Sequence, residues 1–397
     1  MAKEGRKMNF DKLTECLDAI LEKEQVPGID CIVYRNHEML YRHFAGKSDL
    51  ENNKAMNGNE LYLIFSMTKM LTCTAALQLL ERGKYLLDDP VSMYLPEFAK
   101  MKLSNEEFDP GNPGKAASNS DTGENDVKYA KRPITVRHLF SMTGGLDYDL
   151  GDKSIRSALE VGKVSTKDLA CAMAGKSLSF EPGTRYRYSL CHDVLGALIE
   201  VWSGQSLGEY MEQNLFAPLG MKNTFFDVPK DEERLDRMVP RYNKVKGQVT
   251  RIPLVCEFNL SPEYESGGAG LTSSAEDYAL FLDALACGGV GKNGNRILSS
   301  AAVELMGTNQ LTEKALEDFD HCYRPGYGYG LGVRVHMNKV RSGSLSPIGE
   351  FGWDGAAGAF SMVDPVNNIS MVYFQHMHGW SLRIQAEMRN ALYACLD

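Results

Sequence analysis

Ser66 and Lys69 stand three residues apart in the stretch IFSMTKMLTCTAALQLLERGK. A serine hydroxyl is a weak nucleophile and needs a base within hydrogen-bond reach. A lysine at i+3 of a helix is close enough to serve. The N-terminus of that helix also offers free backbone N–H groups suited to a developing oxyanion. The chemistry this pairing supports is acylation of Ser66. Met67, Met70, Leu71, Cys73, Ala75, Ala76, Leu77, Leu79 and Leu80 leave little polar face, so the spacing predicts a buried helix that stops near Gly83. A cation in a first turn opposes the helix dipole, and lysine is rarely buried without a partner. A catalytic role gives Lys69 a reason to be there; a lysine snorkelling to the surface is the plainer reading. Ser66 is the only serine in the chain with lysine at i+3.

A base must be unprotonated near neutral pH. Bringing a phenol or an ammonium from about 10 down to about 7 requires about 4 kcal/mol of differential stabilisation. A lysine–tyrosine pair supplies this mutually, because the ammonium stabilises the phenolate. The segment FEPGTRYRYSLCHDVLG offers such a tyrosine: Pro182-Gly183 turns the chain and Tyr188 precedes a helix beginning near Cys191. Tyr186, two residues earlier, is the rival, and a packing aromatic is the plain alternative for either.

The elements that must position these groups follow from pattern. Residues 9 to 25 read as an amphipathic helix. DCIVYRNHEMLYRHFAG alternates as two strands around a turn at Asn36 and His37. After Gly267, a helix with a capping-box start at Ser273 and Glu276 is followed by strands in YGYGLGVRVHM, GEFGWDGAAGAFSMVD and NISMVYFQHMH, then a closing helix. Strands at both ends with helices between predict an α+β chain: one antiparallel sheet built from both termini and flanked by helices. The sheet domain is expected at 1–90 with 265–397, a mostly helical insertion at 91–264, an exposed loop at 104–131, and the active site between the two domains.

Ser66-Met67-Thr68-Lys69, then PGTRYRYS, then GWDGAAGAF together resemble the serine β-lactamase and penicillin-binding-protein superfamily, closest to class C-like enzymes and the family VIII carboxylesterases. PITVRHLFSMTGGL and GGAGLTSSAEDY resemble further stretches of that family, and the resemblance covers about 10 to 397. It implies a β-lactamase/transpeptidase-like fold. It makes Ser66 the nucleophile, Lys69 the motif lysine and Tyr188 the tyrosine of the Tyr-x-Asn element. Trp353-Asp354-Gly355 takes the Lys-Thr-Gly position, and the N–H groups of Ser66 and Ala356 form the oxyanion hole. Tyr148, after TGGLD, is a candidate for pocket lining. Two departures bear on substrate. Leu190 replaces the Asn of Tyr-x-Asn, and Trp353 replaces the lysine that would bind a β-lactam or peptide carboxylate. Such charge-assisted bonds are worth roughly 1.5–3 kcal/mol each. An aromatic wall suits a neutral ester, so the expectation is a serine esterase acting on a small ester through an acyl-enzyme, with weak β-lactam turnover at most. A β-lactamase or D-amino-acid peptidase is the first alternative, and a non-catalytic binding descendant the second.

Composition bounds the rest. A net charge of −9 without a basic stripe argues against nucleic acid. No run approaches the roughly 18 apolar residues of a membrane span. The start MAKEGRKMNFDKL lacks an apolar signal region. Nine scattered cysteines without a CxxC read as reduced thiols, which suggests a cytoplasmic protein. There is no GxSxG and no HExxH, and His376 and His378 on one strand read as packing, not metal ligation. His192 reads as structural. No metal or cofactor is implied, and oligomeric state is not legible.

Overall fold

Strands from the two ends of the chain pair into one eight-stranded antiparallel sheet. The computed structural model describes residues 8–111, 127–379 and 382–396. The strands are β1 (Gly28–Arg35), β2 (Glu38–Asp49), β3 (Lys54–Ala55), β4 (Tyr327–Tyr329), β5 (Arg334–His336), β6 (Phe351–Gly352), β7 (Phe360–Asp364) and β8 (Ile369–Gln375). Their order across the sheet is β4-β5-β6-β7-β8-β1-β2-β3. The seam where the two termini meet is β1 against β8, with Ile29 opposite Gln375. The helices that matter for the site are α1 (Asp11–Lys23), α2 (Thr68–Glu81), α3 (Cys191–Ser203), α4 (Ala275–Ala286) and α5 (Leu382–Tyr393).

Side chains of a strand alternate between faces, and β1 uses both. Ile29, Cys31 and Val33 join a core with Leu13 and Leu17 of α1 and Ile384 and Met388 of α5. Ile32 and Tyr34 join the opposite core, with Met70 and Leu77 of α2 and Tyr278 and Phe281 of α4. That second core continues into the helices between residues 134 and 219. Every residue of α2 from Thr68 to Leu79 is buried, as its all-round apolar pattern requires.

Three details differ from the sequence reading. The N-cap of α4 is Ser274, which accepts from the Asp277 N–H at 3.2 Å. Ser273 ends the short strand Leu271–Ser273, its hydroxyl bonds Thr224 Oγ1 at 2.8 Å, and Glu276 turns to Arg42 at 2.5 Å. The region 91–264 also carries strands: the hairpin Arg241–Val245 and Gln248–Ile252 pairs in parallel with Met377–His378. Much of the expected loop at 104–131 lies outside the described residues; its flanks Lys102–Leu103 and Lys128–Tyr129 pair with each other.

Candidate active site

Ser66 sits in a 3₁₀ turn, Phe65–Met67, that runs directly into α2. Phe65 has φ +45°, a conformation that costs a bulky residue energy. It is held there by burial against Phe258, His378 and the Arg241 guanidinium. The turn is tied from behind. The Ile64 N–H donates to Leu271 O (3.0 Å), the Leu271 N–H to Thr68 Oγ1 (3.1 Å), and the Tyr278 hydroxyl to Met67 O (2.8 Å).

Lys69 is fully buried. Its Nζ donates to Gly268 O at 2.7 Å, to Tyr148 Oη at 3.1 Å and, more loosely, to Ser66 Oγ at 3.4 Å. It also lies 4.6 Å from the centre of the Tyr188 ring and 5.2 Å from that of Tyr148. Its neighbours are therefore neutral oxygens and π faces; among the described residues no carboxylate pairs with it. The Tyr188 oxygen accepts from Trp353 Nε1–H at 3.3 Å. Among the described residues no hydrogen bond joins Tyr188 directly to Ser66, so Lys69 is the link between them. Burial first, and the neighbouring Tyr188 second, push the Tyr148 hydroxyl well above its ordinary value, so it stays protonated.

The rings form a row. Tyr148 stacks on Tyr188 (5.5 Å), Tyr188 on Trp353 (5.6 Å), Trp353 on Tyr323 (5.9 Å) and Tyr323 on Phe319 (5.4 Å). All five line a cavity of about 820 Å³ together with Ser66, Asp354, Gly355 and Ala356. Gly355 must be glycine: a Cβ there would meet the Ile64 carbonyl oxygen at 2.7 Å. That close approach brings the Ala356 backbone to the Ser66 turn. Neither the Ser66 nor the Ala356 N–H has a backbone acceptor among the described residues, which leaves both amides for an oxyanion.

Of the residues singled out from sequence, Ser66, Lys69, Tyr148, Tyr188, Trp353, Asp354, Gly355 and Ala356 come together. Leu190 does not. It is 1% exposed, belongs to the apolar core and is absent from the cavity wall. As the residue before α3 its backbone accepts from the Asp193 N–H, and its side chain turns inward. Tyr186 is also buried, edge-on to Phe319 and Tyr329. Asp354 reaches the cavity with one oxygen 3.1 Å from Arg334 Nη1. Burial pushes its carboxyl up while Arg334 opposes the rise. His192 and His376 are buried packing groups. His376 donates Nδ1–H to Pro240 O at 2.7 Å, and His378 lies 3.1 Å from Arg241 Nη2.

The support behind Lys69 was missed. Asp193 Oδ1 accepts from Tyr264 (2.9 Å), Ser266 (2.6 Å) and the Gly268 N–H (3.3 Å), and so fixes the loop whose carbonyl holds Lys69. A Cβ on Gly267 would lie 2.4 Å from His192 O, and one on Gly268 2.5 Å from Asp193 Oδ2. The run GGAG was the available signal. Tyr323, Phe319 and Phe258 carried no local signal at all.

The Beta-lactamase family model matches residues 13–394. The chain belongs to that family. Esterase EstB of Burkholderia gladioli is 27% identical over 96% of this chain and 95% of its own length. Among solved structures, EstCE1, described as a hydrolase with promiscuous acyltransferase activity, superimposes with a TM-score of 0.78 at 25% identity, covering 96% of this chain and 98% of its own. A family VIII carboxylesterase superimposes at 0.71 with 18% identity, over 98% and 97%, a likeness of fold. The α+β, β-lactamase/transpeptidase-like architecture expected from the sequence is the one observed.

Proposed function

We propose that this chain is a serine hydrolase that cleaves small neutral carboxylic esters through an acyl-enzyme on Ser66. The observation that carries this reading is Lys69: a buried lysine with no carboxylate partner among the described residues, placed between Ser66 Oγ, Tyr148 Oη and the ring of Tyr188. The Ser66 proton passes to the Lys69–Tyr188 pair as Oγ attacks the ester carbonyl. Trp353 Nε1–H donates to the Tyr188 oxygen and Lys69 Nζ lies over the Tyr188 ring, which holds the tyrosine beside the lysine. The amides of Ser66 and Ala356 hold the tetrahedral oxyanion. Collapse expels the alcohol, which takes back the proton. Water, activated by the same pair, then frees Ser66 and releases the acid.

The stacked wall of Tyr148, Tyr188, Trp353 and Tyr323 favours neutral, partly apolar substrates. Asp354 would repel a substrate carboxylate, and Trp353 stands at the place where β-lactam enzymes put a cation. Esterase EstB supports the esterase reading over a β-lactamase, and EstCE1 supports a hydrolase. The nine unpaired thiols support a reducing compartment such as the cytoplasm; no helix among the described residues is long and apolar enough to cross a membrane. We assign the sheet domain to 1–90 with 265–397 and the inserted domain to 91–264.

The test is Ser66→Ala with a short p-nitrophenyl ester, paired with peptide mapping of a serine-directed phosphonate adduct on the native enzyme. Turnover should vanish and the adduct should fall on Ser66. Unchanged turnover, or an adduct on another residue, would remove the mechanism. A native enzyme with higher kcat/KM for a chromogenic cephalosporin than for the ester would remove the substrate assignment alone.

A further inference from the structure

Away from the catalytic cavity, the tip of the β1–β2 hairpin meets the C-terminal end of α4. Asn36 and His37 both have positive φ, +50° and +67°, the two-residue turn that suits a hairpin. His37 reaches across to Asp283: its N–H donates to Oδ1 at 3.1 Å and its Nδ1 lies 2.7 Å from Oδ2. Cys287, one helical turn beyond Asp283, places its Sγ 3.8 Å from Oδ1. One ligand atom from each of the three residues lies within 4.8 Å of the others.

Asp283 is out of place by ordinary rules. Its side chain is fully buried, and it sits in the last turn of a 12-residue helix, where the dipole disfavours an anion. A buried carboxylate requires a compensating cation. Among the described residues no lysine or arginine pairs with it, and the last turn of α4 carries no basic residue. Among the described residues the one partner able to carry positive charge is the half-buried His37. The position therefore asks for positive charge twice, from the helix end and from the carboxylate, and two further donors converge on the same point.

We propose that His37, Asp283 and Cys287 bind a zinc-class divalent cation. Thiolate plus imidazole plus one carboxylate is a donor set for borderline-soft Zn²⁺ or Co²⁺; Mg²⁺ and Ca²⁺ prefer oxygen alone. His37 and Cys287 also line a cavity of about 560 Å³ with Ser300, Glu304 and Asn368, which admits the ion and a water as fourth ligand. That cavity shares no lining residue with the catalytic one. Binding releases the Cys287 thiol proton and leaves the ligating imidazole nitrogen unprotonated. His37 Nδ1 and Asp283 Oδ2 must part by roughly half an ångström to sit about 2.0 Å from one ion, which a hairpin tip can accommodate. The bound ion staples that tip to α4.

Chelator-treated full-length protein titrated with Co²⁺ tests this. One Co²⁺ per chain should bind with a thiolate-to-cobalt charge-transfer band, and Zn²⁺ should displace it and raise Tm. Cys287→Ser should lose the band, and His37→Gln should weaken binding at least tenfold. Cys171→Ser, which alters a partly exposed thiol outside both cavities, should keep the band. Retained ester hydrolysis shows that each variant is folded. Absence of the band in the native protein, or an undiminished band in Cys287→Ser, overturns the proposal.

Discussion

Two fully buried cations, Lys69 and Arg334, each contact residues that line the catalytic cavity and are compensated in opposite ways. Arg334 is matched by charge: Nη2 lies 3.0 Å from Glu350 and 2.7 Å from Ser361 O, and Nη1 lies 3.1 Å from Asp354. Glu350 also faces Arg389 at 3.3 Å, and that guanidinium lies over Phe360 and Tyr327. Burial works against the Glu350 carboxylate, but Arg389 and Arg334 outweigh it and hold its pKa below the ordinary value. Among the described residues, Lys69 has only neutral oxygens and rings around it. A cation locked to carboxylates has its charge spent on structure. One held by a carbonyl, a phenol and a serine hydroxyl is, on the proposed mechanism, left for proton transfer. The two sites separate stability from chemistry, and substitutions should separate them too.

The largest effects come from removing each cation. Lys69→Met should lower ester kcat/KM towards the upper end of the 10²–10⁴-fold range typical of acid–base loss, with Tm unchanged or raised, because no buried anion is orphaned. Arg334→Met strands Asp354 and part of Glu350 and should cost about 3–5 kcal/mol of stability. Thermal unfolding and steady-state kinetics on both variants check the pair. A Lys69→Met protein that loses Tm as heavily as Arg334→Met would erase the contrast.

Next come the two tyrosines beside Lys69. Tyr188→Phe should reduce kcat about 10²–10³-fold. Tyr148→Phe removes one hydrogen bond to Lys69 and should cost about tenfold. Reversed magnitudes would move the proton-accepting role to Tyr148, whose hydroxyl is the closer one to Nζ.

How much of this was readable in advance follows from how local each signal is. Ser66 and Lys69 are fixed by one helical turn. Tyr188 and Trp353-Asp354-Gly355 carry short motifs with their own backbone demands, such as the glycine packed on Ile64 O. Leu190 was misread because motif position says nothing about which way a residue at a helix start turns its side chain. Asp193, the Gly268 carbonyl and the ring row reaching Tyr323 are long-range contacts between segments tens of residues apart or more. No periodicity encodes them. The cap at Ser274 instead of Ser273 was decided by the preceding strand, which claimed Ser273 first.

An effect smaller than that of Tyr188→Phe is expected at the wall joining the two sites. Trp353→Lys removes the Nε1–H bond to Tyr188 and the stacking on Tyr188 and Tyr323. About 2 kcal/mol of transition-state contact, roughly thirtyfold in ester kcat/KM, should go with it. The ratio of cephalosporin to ester turnover should rise, though Asp354 competes for the new ammonium. A variant with native ester kinetics would show that the indole does not touch the reacting complex.

The smallest effect uses His192 as a reporter of the Lys69 charge. His192 is buried beside Cys73, with Nε2 3.1 Å from Phe140 O. Burial first, and the positive charge of Lys69 second, push it down to about 3 from an ordinary 6.5. A histidine with a depressed folded pKa is protonated first in the unfolded chain. The stability it contributes is present above about 6.5 and is lost as pH falls from there towards about 3. Lys69→Met removes the second cause and leaves the first. The folded pKa should rise yet stay below 6.5, so the loss of stability should begin at the same pH and level off sooner. Urea unfolding at a series of pH values between 7 and 4, on the native protein and on Lys69→Met, measures this, with His192→Gln as the reference that lacks the group. If the Lys69→Met profile overlays the native one, Lys69 carries no charge that His192 senses. The contrast with Arg334 would then rest on geometry alone.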